Sequence, residues 1–124
     1  VYYVQYAHAR ICSIIKKLAE DGIRPRDCTD GELALLTAPE EIELIRHLSV
    51  CTSEIIASAK SYDPAHMMRY IITAATLFHK FYTACRIKGE DEPLAAARLY
   101  LCEDTATVIE NVLAMFKISA PEKM

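Results

Sequence analysis

Glycine is scarce in this chain: three among 124 residues. That is too few for G-x-x-x-x-G-K-[ST] or G-x-G-x-x-G, so the loops with which nucleotide-binding enzymes cradle phosphates are excluded. Tryptophan is absent, so no indole anchors the core. No apolar run approaches the roughly 18–20 residues of a membrane-crossing helix. The first residues are amphipathic and broken by polar side chains, unlike a secretory leader. No membrane role is expected, and the expected location is cytoplasmic. The five cysteines, Cys12, Cys28, Cys51, Cys85 and Cys102, are odd in number and widely scattered, without a C-x-x-C. They fit neither a zinc site nor a disulfide framework and read as free thiols in a reducing compartment. No H-E-x-x-H or repeated E-x-x-H occurs. His8, His47, His66 and His79 fall one per helical region without a carboxylate at a telling spacing, and read as surface or capping residues. No catalytic constellation can be assembled, so catalytic and metal residues are none.

What is present is a patterned charge. The formal net charge is −3, which argues against a non-specific nucleic-acid binder. Residues 1–26 nevertheless carry five Lys/Arg against two acids, and residues 64–88 carry four against none. Residues 27–63 and 89–124 are acidic. Were the two basic segments neighbouring helices, they would form one local positive surface on a protein that otherwise repels phosphate. That implies a few placed contacts and no broad electrostatic grip.

Helical periodicity dominates, and no segment alternates with period two. The first helix runs from about the start to Glu20, with Val4, Ala7, Ile11, Ile14 and Leu18 inward. Gly22 caps it and Pro25 forbids continuation. A short helical turn is expected around Glu32–Leu36. Thr37 and Glu40 fit a capping box opening a second helix to about Tyr62, its apolar content Ile42, Ile45, Leu48, Ile55 and Ile56. Asp63-Pro64 opens a third helix to about Lys88, with Met67, Ile71, Ala74, Phe78, Phe81 and Cys85 inward. Glu90-Asp91-Glu92 and Pro93 open a fourth to about Phe116, with Leu94, Leu101, Val108, Val112, Leu113 and Phe116 inward. The tail from Ile118 to Met124 should be non-helical. The fold class is all-α: one domain spanning 1–124, an antiparallel-type bundle of four long helices plus a short turn.

Two clusters stand out. Tyr6 and Arg10, four apart, share a stripe roughly 110° round from the apolar face at about 100° per residue. A flat ring beside a planar cation suits an unstacked RNA base with its phosphate. His8 lies roughly 170° away and is expected to pack or cap locally. On the third helix, His79, Tyr82 and Arg86 are spaced i, i+3, i+7 and share a face. Both clusters fall on basic segments.

The strings carrying these residues, YVQYAHARICSI (Tyr3 to Ile14), YDPAHMMRYI (Tyr62 to Ile71), LFHKFYTACRI (Leu77 to Ile87), AAARLYLCEDTATVIENVL (Ala95 to Leu113) and the terminal SAPEKM, resemble the C-terminal anticodon-binding (DALR-type) domain of arginyl-tRNA synthetase, in order and across the whole chain. The resemblance implies binding of the anticodon stem-loop of arginine tRNA, with Tyr6, Arg10, Tyr82 and Met124 matching the family's anticodon contacts. Arg86 stands where some relatives carry an aromatic ring, which suggests a phosphate or base-edge contact there. Cys51-Thr52-Ser53-Glu54 departs from an aromatic–Pro–Glu break in many relatives, so a straighter second helix is expected. The chain opens on Val1 without an initiator Met and reads as a piece of a longer, monomeric enzyme, with Met124 as its natural C-terminus. The H-I-G-H and K-M-S-K-S elements are absent. ATP and magnesium would be used by an upstream catalytic domain, and no cofactor is expected in this fragment. Two other readings stay open: the corresponding domain of another class I synthetase such as the cysteinyl one, or a helical protein-interaction module built on Met67, Met68 and exposed tyrosines.

Overall fold

The computed structural model describes residues 2–124. Its six helices are α1 (Tyr2–Glu20), α2 (Asp30–Leu33), α3 (Pro39–Ser49), α4 (Cys51–Ser61), α5 (Pro64–Ala84) and α6 (Glu92–Met115). The long helices α1, α5 and α6 pack on one another, α3 and α4 lean on α5, and α2 rests on α6. Apolar stripes at helical spacing make this possible. Val4, Ala7, Ile11, Ile14 and Leu18 of α1 are buried, as are Met67, Ile71, Ala74, Phe78 and Phe81 of α5. Ala95, Ala96 and Ala97, small and buried, let the start of α6 approach its neighbours closely.

The helix ends follow from backbone chemistry. Gly22, at φ +84°, closes α1, with Ile23 N–H donating to Leu18 O at 2.9 Å and Gly22 N–H to Ala19 O at 3.0 Å. This left-handed cap satisfies carbonyls that the helix would otherwise leave orphaned. The same motif closes α4 at Tyr62 (φ +53°) and α6 at Lys117 (φ +57°), with no glycine at either position.

The middle of the chain departs from the sequence expectation. The helix expected from Thr37 to Tyr62 is two helices, broken at Val50 (φ −95°, ψ 8°). Tyr70 accounts for the break. Its hydroxyl donates to His47 O at 2.6 Å, the carbonyl that Cys51 N–H would need in a continuous helix. His47 Nε2 returns a bond to Tyr70 O at 2.8 Å, and the two rings stack at 4.2 Å. The expected straighter helix is therefore corrected. Of its apolar content, Leu48 is buried together with Leu44, whereas Ile42, Ile45 and Ile56 are exposed. The cap of α3 is Ala38, not Thr37, and Glu41 Oε1 accepts Ala38 N–H at 3.0 Å. The reciprocal capping box lies elsewhere, between Thr29 and Glu32 at the start of α2. There the Arg26 guanidinium reaches Glu32 at 2.5 Å and Glu92 at 2.9 Å. That pairing with Arg26 holds the Glu32 carboxyl down to about 2.

Glu41 is sealed inside the bundle at 1% exposure. Its second oxygen accepts Arg98 Nε at 2.8 Å, and Arg98 Nη1 donates to Arg86 O at 2.5 Å. This buried pair clamps α3, α6 and the α5–α6 connection together.

Candidate nucleic-acid interface

The two basic segments are neighbours. Side-chain contacts between α1 and α5 advance in the same sense along both helices: Tyr3 Oη to Thr76 Oγ1 at 3.2 Å, Arg10 to His79 at 2.6 Å, and beyond the helix ends Asp21 to Lys88 at 3.2 Å. First and third long helices run parallel when each long helix reverses its predecessor.

Arg10 is the centre of the cluster. Its Nη1 donates to His79 Nδ1, and its Cζ sits over the Tyr82 ring, 5.3 Å from the centroid, a cation–π arrangement. The Tyr82 ring also lies near-parallel to the buried Phe78 ring, at 6.1 Å and 11°. Tyr82 thus links the core Phe78 to Arg10 in one stacked group. The Tyr6 and Tyr3 rings stand 6.4 and 5.7 Å from His79. Tyr6, 46% exposed, is the open ring of the group. Burial first, and then the Arg10 guanidinium, push the His79 imidazole below its ordinary value.

Beside this stack is a cleft of about 350 Å³ lined by Arg10, Ser13, Lys17, Asp21, Tyr82 and Lys88, with Ile14 and Leu18 at its floor. Lys17 continues the Tyr6–Arg10 stripe at i+7, so periodicity could have found it. Lys88 and Asp21 sit in connections, where no periodic signal exists. Arg86 does not join the face of His79 and Tyr82. Helix α5 stops at Ala84 and Cys85 is extended (φ −119°, ψ 113°), so that Cys85 and Ile87 turn into the core and Arg86 turns out to solvent.

The tail is non-helical and lies along the other flank of α1. Gln5 Nε2 donates to Ser119 O at 2.9 Å, and His8 Nδ1 bonds Pro121 O at 3.0 Å. Farther along, Glu122 and Lys123 line a cleft of about 520 Å³ with Cys12, Lys16, Lys17 and Glu20. The ridge of Ser13 and Lys17 borders both clefts and lies between them. Met124, 57% exposed, thus ends a segment carried by the flank away from Tyr82. Local packing of His8 holds, at 3% exposure. The surface reading of the histidines needs correction for His8, while His66, with 35% of its side chain exposed, pairs with Glu54 across α4 and α5. Among the described residues, no group of three or more His, Cys, Asp or Glu side chains is placed to hold a metal ion. No helix there is long and apolar enough to cross a membrane. All five cysteines are free thiols, with Cys85 and Cys102 buried.

A surface of this make, two rings and a pinned guanidinium on parallel helices, can be compared with known proteins. The family model described as the DALR anticodon binding domain matches residues 4–124. This chain belongs to that family. Its arginine–tRNA ligase relatives include those of Acetivibrio thermocellus and Ruminiclostridium cellulolyticum, each 48% identical over 124 residues, covering 100% of this chain and 22% of the relative. Arginyl-tRNA synthetase from Thermus thermophilus superimposes with a TM-score of 0.83 at 26% identity, over 98% of this chain and 21% of that one. The DALR domain described here therefore spans about a fifth of the length of the relatives it matches.

Proposed function

We propose that this DALR domain binds the anticodon stem-loop of an arginine tRNA and is the RNA-reading part of a longer arginine–tRNA ligase. The observation carrying this is the cluster on α1 and α5. Tyr6 offers an open ring, Arg10 stands four residues on along the same stripe and is held by His79 and Tyr82, and Lys17 lies two turns beyond Arg10. Stacking one unpaired base on such a ring contributes about 1–3 kcal/mol, and the cations add phosphate contacts. Arg86 and Met124 lie off this cluster, Arg86 as an exposed cation beyond the end of α5 and Met124 at the exposed end of the tail, so on this reading they act only as outlying contacts of a bound loop. The names of the relatives favour arginine over the cysteinyl alternative. A partner-helix module was suggested by Met67 and Met68, but Met67 is 1% exposed and sealed in the core.

ATP and magnesium belong, on this reading, to the catalytic part of the longer enzyme. The described residues of this domain do not fit them: they offer neither a glycine-rich phosphate loop nor a clustered acidic set.

The test is steady-state arginylation by the longer ligase. Arg10→Ala, Tyr6→Ala and Tyr82→Ala should each lower kcat/KM for tRNA by an amount equivalent to about 1–3 kcal/mol, with ATP binding unchanged. Unchanged kcat/KM in all three would refute the assignment.

A further inference from the structure

Helix α4 reads CTSEIIASAKS. Cysteine, threonine, serine and isoleucine, all weaker helix formers than alanine or leucine, fill seven of its eleven positions. A helix this short is marginal in water unless packing supports it, and α4 has little packing. Ser58 is its one buried residue. No side chain caps its start, and Tyr70 holds the His47 carbonyl that Cys51 N–H would need. Beside it runs an apolar cleft of about 380 Å³ lined by Ile55, Ala59, Tyr62, Met67, Met115 and Phe116, so this flank of the helix is left unfilled.

The two sides of the break at Val50 are attached differently. Helix α3 is bolted down before it, by the His47–Tyr70 bonds and by buried Leu44 and Leu48. Past it, Glu54 of α4 accepts from Nε2 of His66 on α5, with about a third of each side chain exposed, 32% and 35%. At its far end α4 turns through Tyr62, which sits at φ +53° and is 92% exposed. Ser58 Oγ donates to Asp63 O there at 2.7 Å.

We propose that α4 is a latched flap. It opens as a unit between Val50 and Tyr62 while the rest of the bundle stays folded, and the Glu54–His66 bond is its latch. Opening widens the apolar cleft over Met67, which is 1% exposed when the flap is closed. Because the flap buries so little, one charge-assisted bond is a large share of what holds it shut. Met67 stands 15 positions before Tyr82 on α5, about 22 Å along the helix, so the flap acts apart from the α1–α5 cluster and does not depend on the RNA-binding reading.

The test is amide hydrogen exchange in the 124-residue chain, followed with and without low concentrations of urea. A local opening exposes little area and responds weakly to urea, whereas global unfolding responds steeply. Amides from Ile55 to Ser61 should exchange at least about a hundredfold faster than those of Phe78 and Phe81, with little dependence on urea. His66→Ala removes the donor and leaves α4 itself unaltered. It should speed α4 exchange by about tenfold, the scale of a hydrogen bond to a charged group, with the urea dependence still small. His66→Gln restores a side-chain N–H and should recover part of that loss. Exchange of α4 amides at the rate and urea dependence of Phe78 and Phe81 would overturn the proposal, since α4 would then unfold only with the core. Unchanged α4 exchange in His66→Ala would overturn it as well, because the pair would not be a latch.

Discussion

Arg10 is held by two neighbours of different chemistry, and each demands something of it. Tyr82 takes the face of the guanidinium and His79 takes one N–H. The arrangement keeps the cation in one geometry, which removes ordering cost from a later phosphate or base contact. It also sets the protonation of His79. A proton on Nδ1 would destroy the bond from Arg10, in accord with an imidazole held below its ordinary value near 6.5 by burial and by Arg10. The sign follows from linkage: the unfolded chain takes the proton more readily than the folded one. The His79 contribution to stability is therefore present above the ordinary value and is lost as pH falls from there toward the folded value. In an NMR titration His79 should respond below the range of an unperturbed histidine, and Arg10→Met should move its midpoint up. A His79 midpoint unchanged by Arg10→Met would show that the two side chains are not coupled.

Among the elements, three helices end on one left-handed cap motif, and only α1 spends a glycine on it. Tyr62 and Lys117 adopt positive φ as ordinary residues. The left-handed backbone costs a non-glycine residue about 1–2 kcal/mol, offset in part by the extra freedom glycine loses on folding. Tyr62 is 92% exposed, so little packing is lost on truncation. Tyr62→Gly should therefore stabilise the domain by about 0.5–1 kcal/mol, and Gly22→Ala should destabilise it by a similar amount; urea midpoints would read both. The Glu41–Arg98 clamp makes a sharper case. Removing one partner by Arg98→Ala strands a buried carboxylate and should cost about 3–5 kcal/mol, whereas Glu41→Met with Arg98→Leu should come close to neutral. A double variant as unstable as the single one would show that other contacts of these side chains dominate. These elements also mark where reading the sequence stops. Val4, Ile11, Ile71 and Phe78 follow one period over long helices, so α1 and α5 were legible, and with them Tyr6, Arg10, His79 and Tyr82. The break at Val50 was not, because Tyr70, distant in sequence, captures the carbonyl that a continuous helix needs. Arg86 was misplaced because burial of Cys85 and Ile87 ends α5 before its stripe is complete. The Lys88–Asp21 pair and the course of the tail depend on connections meeting in space, and no local pattern encodes that.

For the molecule as a whole, the charge map constrains how it can hold RNA. The chain is net acidic, yet α1 and α5 bring its two basic segments together. Within the cleft Lys88 is paired with Asp21, while Arg10 is bonded to a neutral imidazole and keeps its charge for a ligand. On the proposed RNA-binding reading, Arg10 and Lys17 are the cleft cations left to displace counterions from a single-stranded loop. Two such contacts give a slope of about −1.4 in a plot of log affinity against log salt. Affinity for a hairpin loop should fall by only about sevenfold between roughly 50 and 200 mM salt. A broad basic surface would lose several orders of magnitude over the same range. Lys17→Met should flatten the slope by about 0.7 and weaken all hairpins alike, because a phosphate contact carries no base information. A steep slope that survives Lys17→Met would place the main RNA grip elsewhere, with the Lys16 and Lys123 cleft along the tail as the next surface to test.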